Sequence, residues 1–154
     1  MRILLALGRD VEAAAPAIAE LAREHELAVV HEDREAAHSL ELALRNALPG
    51  RDVISVLTQV VVAMDDPAEP QAIAQVRSLR VLLDAGTVVV CAADTTVPVA
   101  LDGLGTMHEV EAPVARDLTA ALLARRLDAE LLLAPTGADV EALASNLATA
   151  RPPA

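Results

Sequence analysis

The sequence predicts an α/β domain with a mainly parallel central sheet covered by helices on both faces. Three observations carry that reading. Apolar runs of strand length alternate with longer segments whose apolar residues recur every three or four positions. Turn residues separate them, as at Gly8, Pro49-Gly50 and Gly86. Hydrophobic residues make up 54% of the 154-residue chain, which suits one domain over residues 1–150 with 151–154 as a loose tail.

Residues 2–7 read as a first strand, ended by Gly8-Arg9-Asp10. The Ala-rich stretch 11–25 follows as a helix, with Ile18, Leu21 and Ala22 at helical spacing and Pro16 in its early turns. Residues 27–31 form a second strand. Residues 34–48 carry Leu40, Leu44 and Leu48 at i, i+4 and i+8, the apolar face of a helix that Pro49-Gly50 closes. Residues 52–64 are β-branched and apolar, a long third strand expected to be buried along much of its length. After the polar connection 65–70, residues 71–85 read as a helix with Ile73, Val76, Leu79, Leu82 and Leu83 inward, closed by Gly86. Residues 87–92 are a fourth strand, and 97–101 and 107–111 flank Asp102-Gly103-Leu104-Gly105 as a hairpin. A helix at 112–127, a strand at 130–134 and a helix at 138–148 complete the alternation. Sheets of this kind hold ligands in loops beyond the C-terminal ends of their strands, which selects residues 8–10, 31–33, 93–96 and 136–139.

Composition narrows the function classes. A net charge of −11, from 23 acids against 12 bases, argues against nucleic acid and anionic membranes as partners. No apolar run approaches the roughly 18 residues of a membrane helix, and the N-terminus reads as a strand and not as a signal peptide. Without Phe, Trp or Tyr, no base can stack on an aromatic shelf. Every base is arginine, so lysine chemistry is excluded. The single cysteine, Cys91, cannot form an internal disulfide, and a reducing cytoplasm is the expected setting. Its apolar neighbours mark it as a small buried hydrophobe and not a nucleophile.

Two ordered stretches resemble carbamate kinase, a branch of the amino acid kinase family. The first is Ala43-Leu44-Arg45-Asn46-Ala47-Leu48-Pro49-Gly50-Arg51-Asp52-Val53, continuing through Val56-Leu57-Thr58-Gln59-Val60-Val61-Val62 to Asp65-Asp66-Pro67-Ala68. The second is Leu82-Leu83-Asp84-Ala85-Gly86-Thr87-Val88-Val89-Val90-Cys91-Ala92, with Val97-Pro98-Val99, Val110-Glu111-Ala112 and Asp117-Leu118-Thr119-Ala120-Ala121-Leu122-Leu123-Ala124 after it. The resemblance implies a three-layer α/β/α amino acid kinase fold, here without the lid subdomain or the family's C-terminal part. It implies ATP or ADP with magnesium as the nucleotide cofactor. As partners it implies a second copy, bound through the helix from Arg34 to Leu48 (Arg34–Leu48), or a full-length relative. It also places ligand contacts: Gly8, Arg9 and Asp10 at the family's Gly-Gly-Asn loop, and His31 at its His-Gly-Asn-Gly-Pro loop. Asp94, Thr95 and Thr96 stand at its four-glycine loop, Arg116 and Asp117 at its Asp-Lys-Asp helix entry, and Thr136 and Asp139 at its Thr-Asp-Val-Asp nucleotide loop.

The departures fall on the phosphate-handling positions. Glycines let backbone N–H groups approach phosphate, and of the first loop only Gly8 remains. Glu32 and Asp33 place two carboxylates where small neutral residues would surround an anionic substrate, and Asp94 adds a third in the former glycine loop. Arg116 keeps a lysine's charge but not its compact ammonium geometry. The expectation is a non-catalytic homologue, a pseudokinase acting as a binding or scaffolding subunit. The alternatives are a minimal ATP-dependent kinase interconverting carbamate and carbamoyl phosphate, and the product of a decaying gene. Asp10, Glu32, Asp33 and Asp94 could gather a hard cation, but solvated loop acids explain them as well, and no metal site is assigned. His31 with Asp33 reads either as an acid–base pair or as an ordinary strand-end residue. Thr95 and Thr96 could hold a phosphate through their hydroxyls. Arg116 has two open readings, an anion contact and neutralisation of Asp117. The Leu40–Leu44–Leu48 stripe reads as core, with a dimer contact added by the resemblance.

Overall fold

The computed structural model describes residues 1–8, 12–58, 60–63, 70–73, 76–93, 96–101, 104–109 and 111–149. In chain order the elements are β1 (Arg2–Leu7), α1 (Ala15–Glu24, after a 3-10 turn at Glu12–Ala14), β2 (Glu26–His31), α2 (Arg34–Ala47), β3 (Val53–Thr58), β4 (Val60–Ala63) and β5 (Pro70–Ile73). There follow α3 (Val76–Asp84), β6 (Val88–Ala93), β7 (Thr96–Leu101), β8 (Leu104–Glu109), α4 (Ala112–Leu127), β9 (Glu130–Ala134) and α5 (Gly137–Thr149).

Five strands pair in the order β3-β6-β2-β1-β9, every neighbour parallel. Alternation along each strand divides the apolar residues between two faces. Ile3, Leu5, Leu7 and Val29 pack with Ile18, Leu40, Leu44 and Val140, so α1, α2 and α5 cover one face. Leu4, Ala6, Val30, Val89 and Cys91 pack with Leu79, Leu83, Leu122 and Leu123, so α3 and α4 cover the other. This is the expected three-layer α/β/α arrangement, and its cores are built from Ala, Val, Leu and Ile.

A second sheet, in the order β5-β4-β7-β8, prolongs the first, since β4 succeeds β3 and β7 succeeds β6 along the chain, each pair again parallel. β7 and β8 are the expected hairpin, antiparallel from Thr96↔Glu109 to Leu101↔Leu104.

Three expectations need correction. Residues 71–73 are not helical: they belong to β5, which pairs antiparallel with β4, and the helix starts at Val76. β5 lies at a sheet edge, where the missing N–H of Pro70 is tolerated, and strand pairing overrides the helical spacing of Ile73 with Val76. The third strand is split into β3 and β4, and β3 is an edge strand of its sheet, half-buried over Ile54–Val56 and exposed at Leu57. Apolar content reports the faces of a strand and not its lateral neighbour. Helix α1 begins at Ala15, with Pro16 in its first turn, where a missing N–H costs nothing.

At the N-terminal ends of the strands, arginines fasten helix C-termini. Arg51 donates to the carbonyls of Ala22 and Gly86, Arg23 to that of Ala47, Arg2 to that of Leu127 and Arg80 to that of Arg126. Helices end with unsatisfied carbonyls and partial negative charge, which a guanidinium answers on both counts. Arg2 also pairs with Glu26 and Asp84. Burial works against its charge, but these carboxylates outweigh it and raise its pKa. This end of the molecule is a structural clamp.

Candidate functional site

The opposite end of the sheet carries the loops that the sequence selects as candidates. β2 feeds α2 on one face, whereas β6 leads through the hairpin to α4 on the other, so the two chains diverge beyond His31 and Ala93. Such divergence opens a crevice in a parallel sheet. Arg9, Asp10, Asp94 and Thr95 lie outside the described residues, and Thr96 is described only as the first residue of β7.

Just past the end of β2 lies an internal ion pair. Arg116, in the first turns of α4, places its Nη1 3.3 Å from the carboxylate of Glu32 and 3.3 Å from the Leu7 carbonyl, and its Nε 3.0 Å from Asp117. The Glu32 side chain is 3% exposed and that of Arg116 20%. Of the two open readings of Arg116, the contact with Asp117 is present, and the guanidinium also meets the protein's own Glu32 carboxylate.

The neighbouring groups are engaged in local structure. The Asp33 carboxylate accepts from the N–H of Glu35 as N-cap of α2. His31 is buried at the end of β2, and its Nδ1 accepts the Asp33 N–H at 2.9 Å. A neutral imidazole then carries its proton on Nε2. It is the Asp33 backbone that meets the ring at Nδ1, while the Asp33 carboxylate caps α2. Thr136 and Asp139 cap α5 reciprocally: the Thr136 N–H and hydroxyl donate to the Asp139 carboxylate, and the Asp139 N–H donates to Thr136 Oγ1. Gly8 donates its N–H to the Ala134 carbonyl, and a Cβ there would stand 2.1 Å from the Pro135 carbonyl oxygen. Close approach of two strand ends is reason enough for this glycine. Beside it lies a groove of about 310 Å³ lined by Ala6, Gly8, Arg116, Leu131, Leu133 and Pro135.

Among the described residues no group of three or more His, Cys, Asp or Glu could hold a metal ion, and no helix is long and apolar enough to cross a membrane. Burial pushes the Cys91 thiol up to about 12, the state of an unreactive core residue.

Curated relatives agree with this architecture. Carbamate kinase of Escherichia coli (strain K12) is 26% identical over 203 aligned positions, covering 85% of this chain and 67% of that protein. Carbamate kinase of Haemophilus influenzae is 38% identical over 67 residues, and the carbamate kinase-like protein YahI of E. coli K12 is 34% identical over 71, each covering 22% of the relative. The chain is a carbamate kinase-like relative. It spans between about a fifth and two thirds of the curated relatives it matches. The 203-position alignment takes in only 85% of 154 residues, so carbamate kinase carries a substantial stretch with no counterpart here. No family model matches the chain, and no solved structure does.

Against carbamate kinase, the residue that sequence reasoning undervalued is Glu32. It stood out as a loop acid, but not as the partner of Arg116. The signal was available: a loop acid after β2 and an arginine at the start of α4 are opposite charges that could meet across the loop end of the sheet.

Proposed function

We propose that this carbamate kinase-like chain is a non-catalytic subunit with a binding or scaffolding role in the cytoplasm. The observation that carries the reading is the Glu32–Arg116 pair. The cation at the position of the family's lysine is held inside by a carboxylate 3.3 Å away, where a phosphoryl group would need it. Displacing Glu32 would leave a carboxylate uncompensated in a nearly dry position, a cost of several kcal/mol in comparable buried pairs. The reciprocal capping of Thr136 with Asp139, and of α2 by Asp33, favours the same reading, since side chains that could meet nucleotide are engaged at helix ends. Self-association through Arg34–Leu48 belongs to the proposal. It would use the outer face of α2 at Leu42, because Leu40 and Leu44 are core.

Titration calorimetry with carbamoyl phosphate and with magnesium-ADP tests this reading. The native chain is expected to bind neither below about 1 mM, which corresponds to roughly 4 kcal/mol. Glu32→Gln should release Arg116 and strengthen carbamoyl phosphate binding at least tenfold. Micromolar binding to the native chain, unchanged by Glu32→Gln, would overturn the proposal.

A further inference from the structure

The groove beside Arg116, of about 310 Å³, is bounded by two kinds of surface. Helix α4 packs over β1 but leaves β9, an edge strand, partly uncovered. Leu131 and Leu133, in register with Leu4 and Ala6, keep 38% and 63% of their surface exposed. With Ala6, Ala120, Ala134 and Pro135 they make an apolar wall. A concave apolar surface with a few polar groups beside it is the usual make-up of a small-molecule site. The volume is at the lower limit of such sites, roughly 300–1,000 Å³, which suits a body of a few carbons and not a nucleotide.

Charge selects the ligand. Among the described residues the charged groups of the lining are Arg116 and Asp117. Arg116 donates from Nε to Asp117 at 3.0 Å, and from Nη1 to the Leu7 carbonyl and to Glu32, each at 3.3 Å. One guanidinium thus answers two carboxylates, and one negative charge is left in surplus. The Glu32 side chain is buried, whereas that of Asp117 is 62% exposed, so the surplus meets solvent at Asp117. An anion entering the groove would be repelled by that surplus, and a cation would relieve it.

We propose that this groove binds a small primary ammonium ion with a short aliphatic body. The ammonium lies against the Asp117 carboxylate and the body against Leu131 and Leu133. An alkylammonium keeps its proton at pH 7, as a lysine does, and offers three N–H donors to the carboxylate. The apolar wall supplies most of the affinity, since exposed ion pairs contribute little, and the surplus carboxylate sets the sign of the ligand. The inference deepens the binding role proposed above and rests on its Glu32–Arg116 pair, which offsets the cation an anionic ligand would need.

The test follows leucine methyl resonances of the full 154-residue chain during titration with isopentylammonium, free leucine and isocaproate. These share an isobutyl body and carry a cationic, a zwitterionic and an anionic head. Isopentylammonium should shift the methyls of Leu131 and Leu133 saturably below about 10 mM and leave Leu42, on the outer face of α2, unmoved. Isocaproate should bind at least tenfold more weakly, with free leucine between the two. Methylammonium, which lacks the body, should also bind at least tenfold more weakly, since each buried methylene is worth about fourfold. Asp117→Asn should weaken isopentylammonium binding several-fold. Leu133→Ser should do so too while the fold survives, since that side chain is exposed. No saturable shift with isopentylammonium, equal binding of isocaproate, or an Asp117→Asn variant that binds like the native chain overturns the inference. If that happens while Glu32→Gln still strengthens carbamoyl phosphate binding, this inference alone falls. Ammonium binding alongside micromolar carbamoyl phosphate binding by the native chain would sustain it and overturn the earlier proposal.

Discussion

At the residue scale, Glu32 and Arg116 form a largely buried ion pair at the loop end of the sheet. Arg116 answers the end of β1 through the Leu7 carbonyl and the end of β2 through Glu32, so the guanidinium bridges two strands. Cys91 offers a cleaner stability probe. Burial raises its pKa from an ordinary 9.0 to about 12 in the fold. A raised folded value means that its contribution is whole below about pH 9 and is lost as pH climbs toward 12. The chain contains no Lys and no Tyr, so no other side chain of the usual alkaline set titrates in that window. Unfolding free energy should therefore fall on the order of 3–4 kcal/mol across it, and Cys91→Val should flatten the fall. Urea denaturation at pH 8, 10 and 11 measures both; a native profile as flat as the variant's contradicts the account. The burial of Cys91 was legible from its apolar neighbours. The Glu32–Arg116 contact was not, because 84 residues of sequence separate the partners and only the crossing of α4 over β1 and β2 joins them.

At the scale of the element, α2 is the informative helix. Its leucine stripe was legible as an apolar face at helical spacing, and it is core: Leu40 and Leu44 are fully buried under the sheet. Its other work was not legible. Glu41 and Arg45 lie one turn apart on α2 and hold the outward backbone of β3, a relation set by strand order. Strand order is also why β3 was expected in the interior, and why β5 was hidden in a helical pattern. Leu44→Glu should destabilise the fold by roughly 3–5 kcal/mol or prevent folding, since it buries a charge with no partner. Leu42→Glu, at a position 47% exposed, should leave thermal stability within about 0.5 kcal/mol. Circular dichroism melts of both variants check this; equal effects would place the stripe outside the core.

Over the whole molecule the two ends of the sheet divide the labour. Arginines fasten helix C-termini at one end, and the opposite end carries the Glu32–Arg116 pair and the capped starts of α2 and α5. The three-layer fold was legible because alternation and turn chemistry agree along the chain, and because the resemblance ordered the pieces. A like charge about 4 Å from a phosphate oxygen costs on the order of 4 kcal/mol at an effective dielectric of 20, near three decades in rate. Glu32 occupies the cation that would offset it, and Asp94 adds a further acid by sequence. The most direct test is to incubate the purified chain with ADP, carbamoyl phosphate and magnesium and to measure ATP. The account predicts formation no faster than the catalyst-free control. ATP formation above that control, abolished by Arg116→Ala or Asp94→Ala, would contradict it.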